Sequence, residues 1–293
     1  MSAVDVFEGE RSRLFGLAYR MTGSAMDADD IVQDAYLRWE GVETEKVDSP
    51  AAYLTTVTTR LAIDRLRSAQ RTREAYVGPW LPEPIVTDND PARIVEVDES
   101  ITLSFLAVLE RLSPVDRAVF LLHDVFGSSY EDIAGVVERS EVACRQIASR
   151  ARERVRAERP RFEVPSERTD ELVAAFGAAL MSGDPESLGA LLADDVVHVS
   201  DGGADHHAAR RPVAGPENVA RFMVNLAKRF PPDGEIEVFE ANGDPAFLAL
   251  VDGEPLTLVA LGYDGGLVRR VSAVVNPDKL AEVMAARRRL APG

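Results

Sequence analysis

Cysteine is almost missing from this chain. A single one, Cys144, among 293 residues leaves no partner for an internal disulfide and no multi-cysteine metal site, which points to a reducing, cytoplasmic setting. Nowhere do apolar residues run for the ~18 positions of a membrane span, and the opening MSAVDVFEGERSR lacks the apolar core of a signal peptide. The expectation is a soluble, cytoplasmic protein with no membrane partner. Positive charge is also in deficit: 33 Lys and Arg against 49 Asp and Glu leave a net charge of −16. Taken as a sum, that charge argues against nucleic acid. Internal repeats and low-complexity tracts are absent.

What is present is ordinary for globular protein, with 46% hydrophobic and 28% charged residues, and enough length for two or three modest domains. Charge distribution matters more than the sum, because phosphate binding depends on local basic clusters. Arginines 60, 65, 67, 71 and 73 face one acid, Asp64. Arginines 139, 145, 150, 152, 154, 156, 159 and 161 face only Glu141, Glu153 and Glu158. Two basic islands lie in an acidic chain, each readable by itself as a solvated helix face.

Residues 5–75 read as helical. Leu14, Leu17, Ala18 and Met21 repeat at helical spacing, as do Val32, Ala35, Tyr36 and Trp39. Asp30, Gln33 and Asp34 share a different face of the second helix and form an acidic, hydrogen-bonding strip. Ser49 is placed to cap a third helix with Pro50 at its first position, running through Leu54, Val57 and Leu61 into the first arginine island.

Phe105, Val108, Leu109 and Leu112 resume the helical stripe further on. Ser113, Ser129 and Ser140 then open three short helices, Ser113 and Asp116 forming a capping box and SYED a second. The last two helices, joined across VERS, have the form of a helix-turn-helix. Ile133, Ala134, Val137, Val142 and Ile147 are expected to pack inward. Arg145, Gln146, Ser149, Arg150, Arg152 and Arg154 are expected to project outward, where Arg and Gln read base edges and further arginines neutralise phosphate. Cys144 falls among the packing positions and, with no second cysteine to resolve an oxidised one, reads as core rather than sensor.

Beyond Pro165 helices give way to strands. Leu172, Ala175, Phe176 and Ala179 mark one helix; Val219, Phe222, Met223 and Leu226 mark another. Five β-rich runs, VVHVS, EIEVFEA, AFLALV, LTLVALGY and LVRRVSAVV, are separated by turn signals such as DGE and YDGG. That order suggests an α+β domain with a curved sheet. Between the helical regions lies YVGPWLPEPI, whose prolines favour an extended backbone. A spacer has no need of Trp80, so the segment raises the question of what it packs against.

The succession DADDIVQDAYLRW, SPAAYLTTVTTRLAIDRLRSAQRTRE and LSPVDRAVFLLHDVFGSSYEDIA…SEVACRQIASRARERV, over about residues 7–160, resembles bacterial extracytoplasmic-function sigma factors of the sigma-70 family. The C-terminal ERTDELVAAFGAALMSGDPESLGALLADDVVHVSDGG with GPENVARFMVNLAKRF resembles SnoaL-like domains, which are cone-shaped α+β folds. Together with WLPEP at 80–84 and NPDKL at 276–280, the chain resembles the sigma-factor subgroup with a fused SnoaL-like extension.

The resemblance implies a multidomain chain: two all-α domains followed by the α+β domain. It assigns residues 1–75 to sigma region 2, 76–99 to a linker, 100–162 to sigma region 4 and 166–290 to the SnoaL-like domain. Core RNA polymerase is the implied partner of Asp30, Gln33, Asp34 and Leu37. Lys46, Asp48, Ser49, Tyr53, Arg60, Arg65 and Arg67 match the part that captures and melts the −10 element of promoter DNA, with Tyr53 as an exposed aromatic for an unpaired base. Glu141, Arg145, Gln146, Ser149, Arg150 and Arg152 match the reader of the −35 duplex. Trp80, Leu81, Pro82, Glu83 and Pro84 are implied to dock near Asp201, Gly202, Asn276, Pro277, Asp278, Lys279 and Leu280 of the extension, a built-in regulator in place of a separate anti-sigma protein. The subgroup continues its glycine turn with a third glycine and a lysine; this chain has DGGADHH, with Asp205, His206 and His207 there instead.

Two other readings stay open on the residues alone. A conventional helix-turn-helix repressor or activator would bind duplex operators and leave the acidic Asp30 face without purpose. A small-molecule enzyme with a DNA-binding appendage would use His198, Asp201, His206 and His207 for acid/base chemistry in a pocket. Adjacent His206 and His207 point to opposite faces of a strand and make poor joint metal ligands, and no nucleophile with a neighbouring base is evident. The expectation is no enzyme, no cofactor and no metal.

Overall fold

The computed structural model describes residues 3–43, 46–73, 78–86, 102–158, 167–203 and 208–290. Linker residues 87–99, Arg159, Arg161, Asp205, His206 and His207 lie outside the described residues. The chain divides into two compact units, one comprising 1–75, 90–101 and 105–158, the other 76–89, 102–104 and 159–293.

In the first unit α1 (Ala3–Thr22), α2 (Ala25–Glu40) and α3 (Pro50–Arg73) pack on one another. Their apolar stripes are the core: Leu14, Leu17, Ala18, Met21, Ala35, Trp39 and Leu54 are fully buried. Ser24 caps α2 by accepting from the Asp27 amide, and Ser49 caps α3 by accepting from the Ala52 amide. Then come α4 (Leu103–Leu109), whose first two residues belong to the second unit, α5 (Pro114–Phe120), a π-helical turn over Leu121–Val125, α6 (Tyr130–Val137) and α7 (Glu141–Glu158). Ser113, Ser129 and Ser140 each cap the helix that follows, accepting from the amides of Asp116, Asp132 and Ala143. The turn between α6 and α7 passes through Glu138 in the left-handed region at φ 56°, a conformation costly for a residue with a Cβ.

Packing on α6 and α7 departs from expectation fully at Val142 and in part at Ala134, which is half-buried. Ile133, Val137 and Ile147 are buried, but Val142 is 61% exposed. It occupies the second position of α7, close to the turn through Glu138. Cys144 is fully buried, and burial raises its thiol pKa, so it packs as core.

In the second unit α8 (Glu167–Ser182), α9 (Pro185–Gly189) and α10 (Pro216–Ala227) accompany a six-stranded sheet of β1 (Leu192–Asp201), β2 (Val213–Ala214), β3 (Glu235–Ala241), β4 (Asp244–Val251), β5 (Glu254–Asp264) and β6 (Leu267–Val274), closed by α11 (Pro277–Leu290). The strand order is β2-β1-β6-β5-β4-β3. β3 to β6 form an antiparallel meander, and β1 joins β6 in parallel.

Strand alternation gives the sheet two dressed faces. One packs Val196, Leu261, Tyr263 and Val271 under Leu172 and Phe176 of α8, Leu188 of α9 and Val219 and Met223 of α10. The other packs Val199, Leu248, Leu258, Ala260 and Val274 under Leu280, Val283 and Met284 of α11. Leu81, Val86 and Leu103 join this second core, so part of the segment that read as a spacer is a structural component of the α+β unit. Strand β2, the short α9 and the long α11 were not legible as elements.

Candidate functional site

Asp30, Gln33, Asp34 and Leu37 lie at spacings of three and four on α2, which stacks them in one stripe, and all four are exposed. Leu37 is 57% exposed among these polar side chains.

The −10 set is dispersed along the entry to α3 and its length. Lys46 pairs with Glu43 at 2.5 Å, Asp48 is exposed, and Ser49 is spent on its cap. Tyr53, expected as an exposed aromatic, is half-buried with its ring 5.7 Å from Trp39; the end of α2 gives it an aromatic partner. Arg65 donates twice to Asp27 Oδ1 and lies 3.4 Å from Asp30, so it joins the −10 set to the acidic strip, and the Asp27 hydrogen bond raises its pKa. Arg67 lies 3.5 Å from Asp64. Arg60 donates to the carbonyls of Gly135 (2.9 Å) and Val136 (3.1 Å) at the end of α6. There it satisfies acceptors that a helix C-terminus leaves open.

On α7, Arg145, Gln146, Ser149 and Arg150 are exposed on one side, with Glu141 half-buried at its start. Arg145 pairs with Glu141 at 2.6 Å. Arg152, expected to project outward, is instead held by Asp124 Oδ1 at 2.6 Å and Tyr130 Oη at 3.2 Å. Asp124 lies in the π-helical turn, a feature without a sequence signature.

The linker motif meets the second sheet face. Leu81 is buried and Trp80 half-buried; Pro82 and Pro84 are buried and Glu83 half-buried. Asp201, with no exposure, accepts from the Leu81 amide at 2.7 Å and from Lys279 Nζ at 2.7 Å. Lys279 also donates to the Leu81 carbonyl and sits 3.8 Å from the centre of the Trp80 ring, a cation–π contact. Gly202 is buried. Gly203 follows at φ +66°, where a Cβ would lie 3.2 Å from the Asn276 side chain, so glycine is required for the turn to close on the start of α11. Asn276 half-buries and accepts from the Asp278 amide. Pro277 and Asp278 are exposed and Leu280 is buried in the core.

Two residues unforeseen in the sequence extend the site. Asn242 Oδ1 accepts from the Ile85 amide, and the Asn242 amide donates to the Ile85 carbonyl, each at 2.8 Å. Asp244, two residues on, accepts from the Leu103 amide, and burial raises its pKa well above the carboxylate range. The β3–β4 turn thus holds both ends of the segment between Val86 and Thr102. Its only sequence signal, the dipeptide Asn-Gly, reads as a hairpin turn.

His198 and Asp201 do not share a site. Three residues apart on one strand, they point to opposite faces: Asp201 joins the linker cluster, whereas His198 is buried against Phe222 and Ser200 Oγ on the other side. Burial lowers the His198 pKa to about 4, which keeps the imidazole neutral.

A capped helix-turn-helix in one unit with a three-helix module that carries an exposed acidic stripe is the architecture of a helix-turn-helix transcription protein. Two family models match: sigma-70 region 2 over residues 6–72 and sigma-70 region 4 over 102–155. The ECF RNA polymerase sigma factor SigJ of Mycobacterium tuberculosis is 40% identical over 283 residues, spanning 94% of this chain and 88% of that protein. The crystal structure of the M. tuberculosis extracytoplasmic function sigma factor SigJ aligns with a TM-score of 0.78 at 35% identity, covering 95% of this chain and 98% of that one. The chain belongs to the extracytoplasmic-function sigma factors of the sigma-70 family, here with an α+β domain C-terminal to the two sigma regions. It is therefore an RNA polymerase sigma factor, and as such binds core polymerase and promoter DNA. Among the described residues no helix is long and apolar enough to cross a membrane.

Proposed function

We propose that initiation by this sigma factor is set by docking of its own linker on its α+β domain. The observation that carries the reading is the buried group Asp201, Lys279 and Leu81, with Asn242 and Asp244 holding Ile85 and Leu103. Promoter elements centred on −10 and −35 lie roughly 85 Å apart at ~3.4 Å per base pair. The 29 residues between Arg73 and Leu103 extend to about 95–105 Å at most, so a free linker spans that distance. With Ile85 and Leu103 held by neighbouring residues of one turn, only the stretch from Arg73 to Ile85, about 40 Å when extended, stays free, which falls well short of that distance. Docking therefore favours the arrangement in which Arg60 clasps α6 and Arg117 of α5 donates to the Met21 carbonyl of α1, and polymerase must release the linker to spread the two helical modules.

Within this reading residues 1–75, 76–99, 100–162 and 166–290 are the working segments. Asp30, Gln33, Asp34 and the exposed Leu37 meet polymerase, an apolar side chain among acids being suited to a protein interface. Lys46, Asp48, Ser49, Tyr53, Arg60, Arg65 and Arg67 act at the −10 element. Glu141, Arg145, Gln146, Ser149 and Arg150 face the −35 duplex, with Arg152 bracing α7. The extension acts as a regulator rather than an enzyme, supported by the separation of His198 from Asp201, and replaces a separate anti-sigma protein in a cytoplasmic factor.

The test is promoter-directed run-off transcription with core polymerase, comparing the full chain with one cut near Pro165. Unequal initiation is expected; equal initiation removes the regulatory role.

A further inference from the structure

Tyr130, the first residue of α6, is not among the residues that a helix-turn-helix reading singles out, yet two arginines of α7 converge on it. The Arg145 guanidinium lies over its ring, 5.4 Å from the centroid. Arg152 donates to its hydroxyl at 3.2 Å while also donating to Asp124 at 2.6 Å. The ring stacks on His123, with centroids 4.1 Å apart and planes inclined by 26°. His123 is held in turn, its Nδ1 lying 2.9 Å from the Ser128 carbonyl oxygen. Tyr130 is thus fixed by groups from the π-helical turn, the following loop and the bracing arginine, and it offers its face to one side chain of the exposed set on α7.

We propose that Tyr130 is a positioning residue for promoter recognition, its ring setting the direction in which Arg145 presents its guanidinium to the −35 duplex. The inference rests on the reading of Arg145 as a base-contacting residue. Arginine reads guanine through a planar, bidentate fork, so the angle of approach decides whether both donors reach O6 and N7. A surface pair with Glu141, one turn away, orients a long side chain only weakly. An aromatic face adds the missing constraint, because the cation is drawn over the ring. Half of the Arg145 side chain stays open, at 53% exposure, so the fork is aimed yet accessible. Ordering a side chain before it binds lowers the cost of binding only in the aimed geometry, which favours one base over its competitors.

The experiment uses holoenzyme assembled from core polymerase and the full chain, selecting from a randomised duplex library whose bound fraction is sequenced. Arg145→Ala first identifies the −35 position that this residue governs. Tyr130→Leu and the less disruptive Tyr130→Met are expected to flatten the preference at that position by about two- to fivefold, the range of an exposed cation–π contact. Tyr130→Phe keeps the ring and is expected to keep the preference, and the −10 preference is expected to stay unchanged in all variants. A uniform loss across all sequences, or an unchanged −35 preference in Tyr130→Leu and Tyr130→Met, overturns the proposal. So does a Tyr130→Phe variant that behaves like Tyr130→Leu. If Arg145→Ala itself changes no preference, the reading of Arg145 falls and takes the proposal with it. If it does and the Tyr130 variants do not, only the role of Tyr130 falls.

Discussion

Replacing Leu81 by alanine separates linker docking from folding of the domain that receives it. Leu81 is 2% exposed and packs with Val199, Leu248, Leu258 and Leu280, but it enters that core from outside the α+β sequence. Truncating a buried leucine costs about 2–5 kcal/mol, the transfer term plus the cavity left behind. Here the loss falls on the docked state, since an undocked linker never buried the side chain. At ~1.4 kcal/mol per factor of ten, the ratio of docked to free linker drops by at least about 25-fold. Amide exchange reads this directly, because the Leu81 and Ile85 amides are both bonded to side chains of the domain, Asp201 and Asn242. Exchange over residues 79–86 should accelerate by that factor, while the central strands β5 and β6 stay protected. Trp80→Ala is the internal comparison: the indole is only half-buried and its main partner is the Lys279 ammonium, a contact of ~0.5–2 kcal/mol, so acceleration should be smaller. Unchanged exchange in Leu81→Ala refutes the assignment of Leu81 as anchor. Equal acceleration throughout the sheet shows that the segment belongs to the domain fold and does not dock and release.

Lys279→Met should act differently, since Asp201 is completely buried and loses its cation; leaving one member of a buried pair costs about 3–5 kcal/mol, visible as a lower melting temperature of the α+β unit, and an unchanged melting temperature speaks against a charged pair there. His198 gives a pH signature. Its folded pKa of about 4 lies below the ordinary 6.5, so folding favours the neutral ring: the contribution is complete above pH 6.5 and is lost as pH falls towards 4, up to about 3 kcal/mol. A His198→Gln variant should lack this component of the acid-induced loss, and identical pH profiles in thermal melts would contradict it. Arg60→Ala removes the donors to Gly135 and Val136 and should lower the stability of the helical unit by about 1–3 kcal/mol; a melt indistinguishable from wild type leaves Arg60 without a clasping role.

Much of the architecture was legible because its causes are local. Ser49, Ser113, Ser129 and Ser140 cap the helices they precede, as their positions in the sequence suggest, and apolar periodicity located the buried stripes on α1, α2 and α3. The five long strands followed from β-rich runs between turn signals. What escaped notice depends on partners distant in sequence. Helix α11 begins within the motif Asn276–Leu280, which stood out as a motif while the helix carrying it did not, because its Ala- and Arg-rich remainder has, among the described side chains, few large apolar residues such as Val283 and Met284 to mark a buried side. Arg152 carries the same side chain as its outward neighbours and turns inward only because the π-helical turn delivers Asp124. Asn242 and Asp244 read as turn formers, and their hold on Ile85 and Leu103 is a contact across more than a hundred residues. The opposite orientation of His198 and Asp201, by contrast, follows from strand parity alone.

The measurement that tests the central claim most directly is the yield of promoter-directed transcripts from holoenzymes carrying the wild-type and Leu81→Ala full chains, at saturating core polymerase. If linker docking restrains the helical modules, the released variant gives more product per polymerase. Equal or lower yield, with amide exchange showing the linker released, contradicts the account.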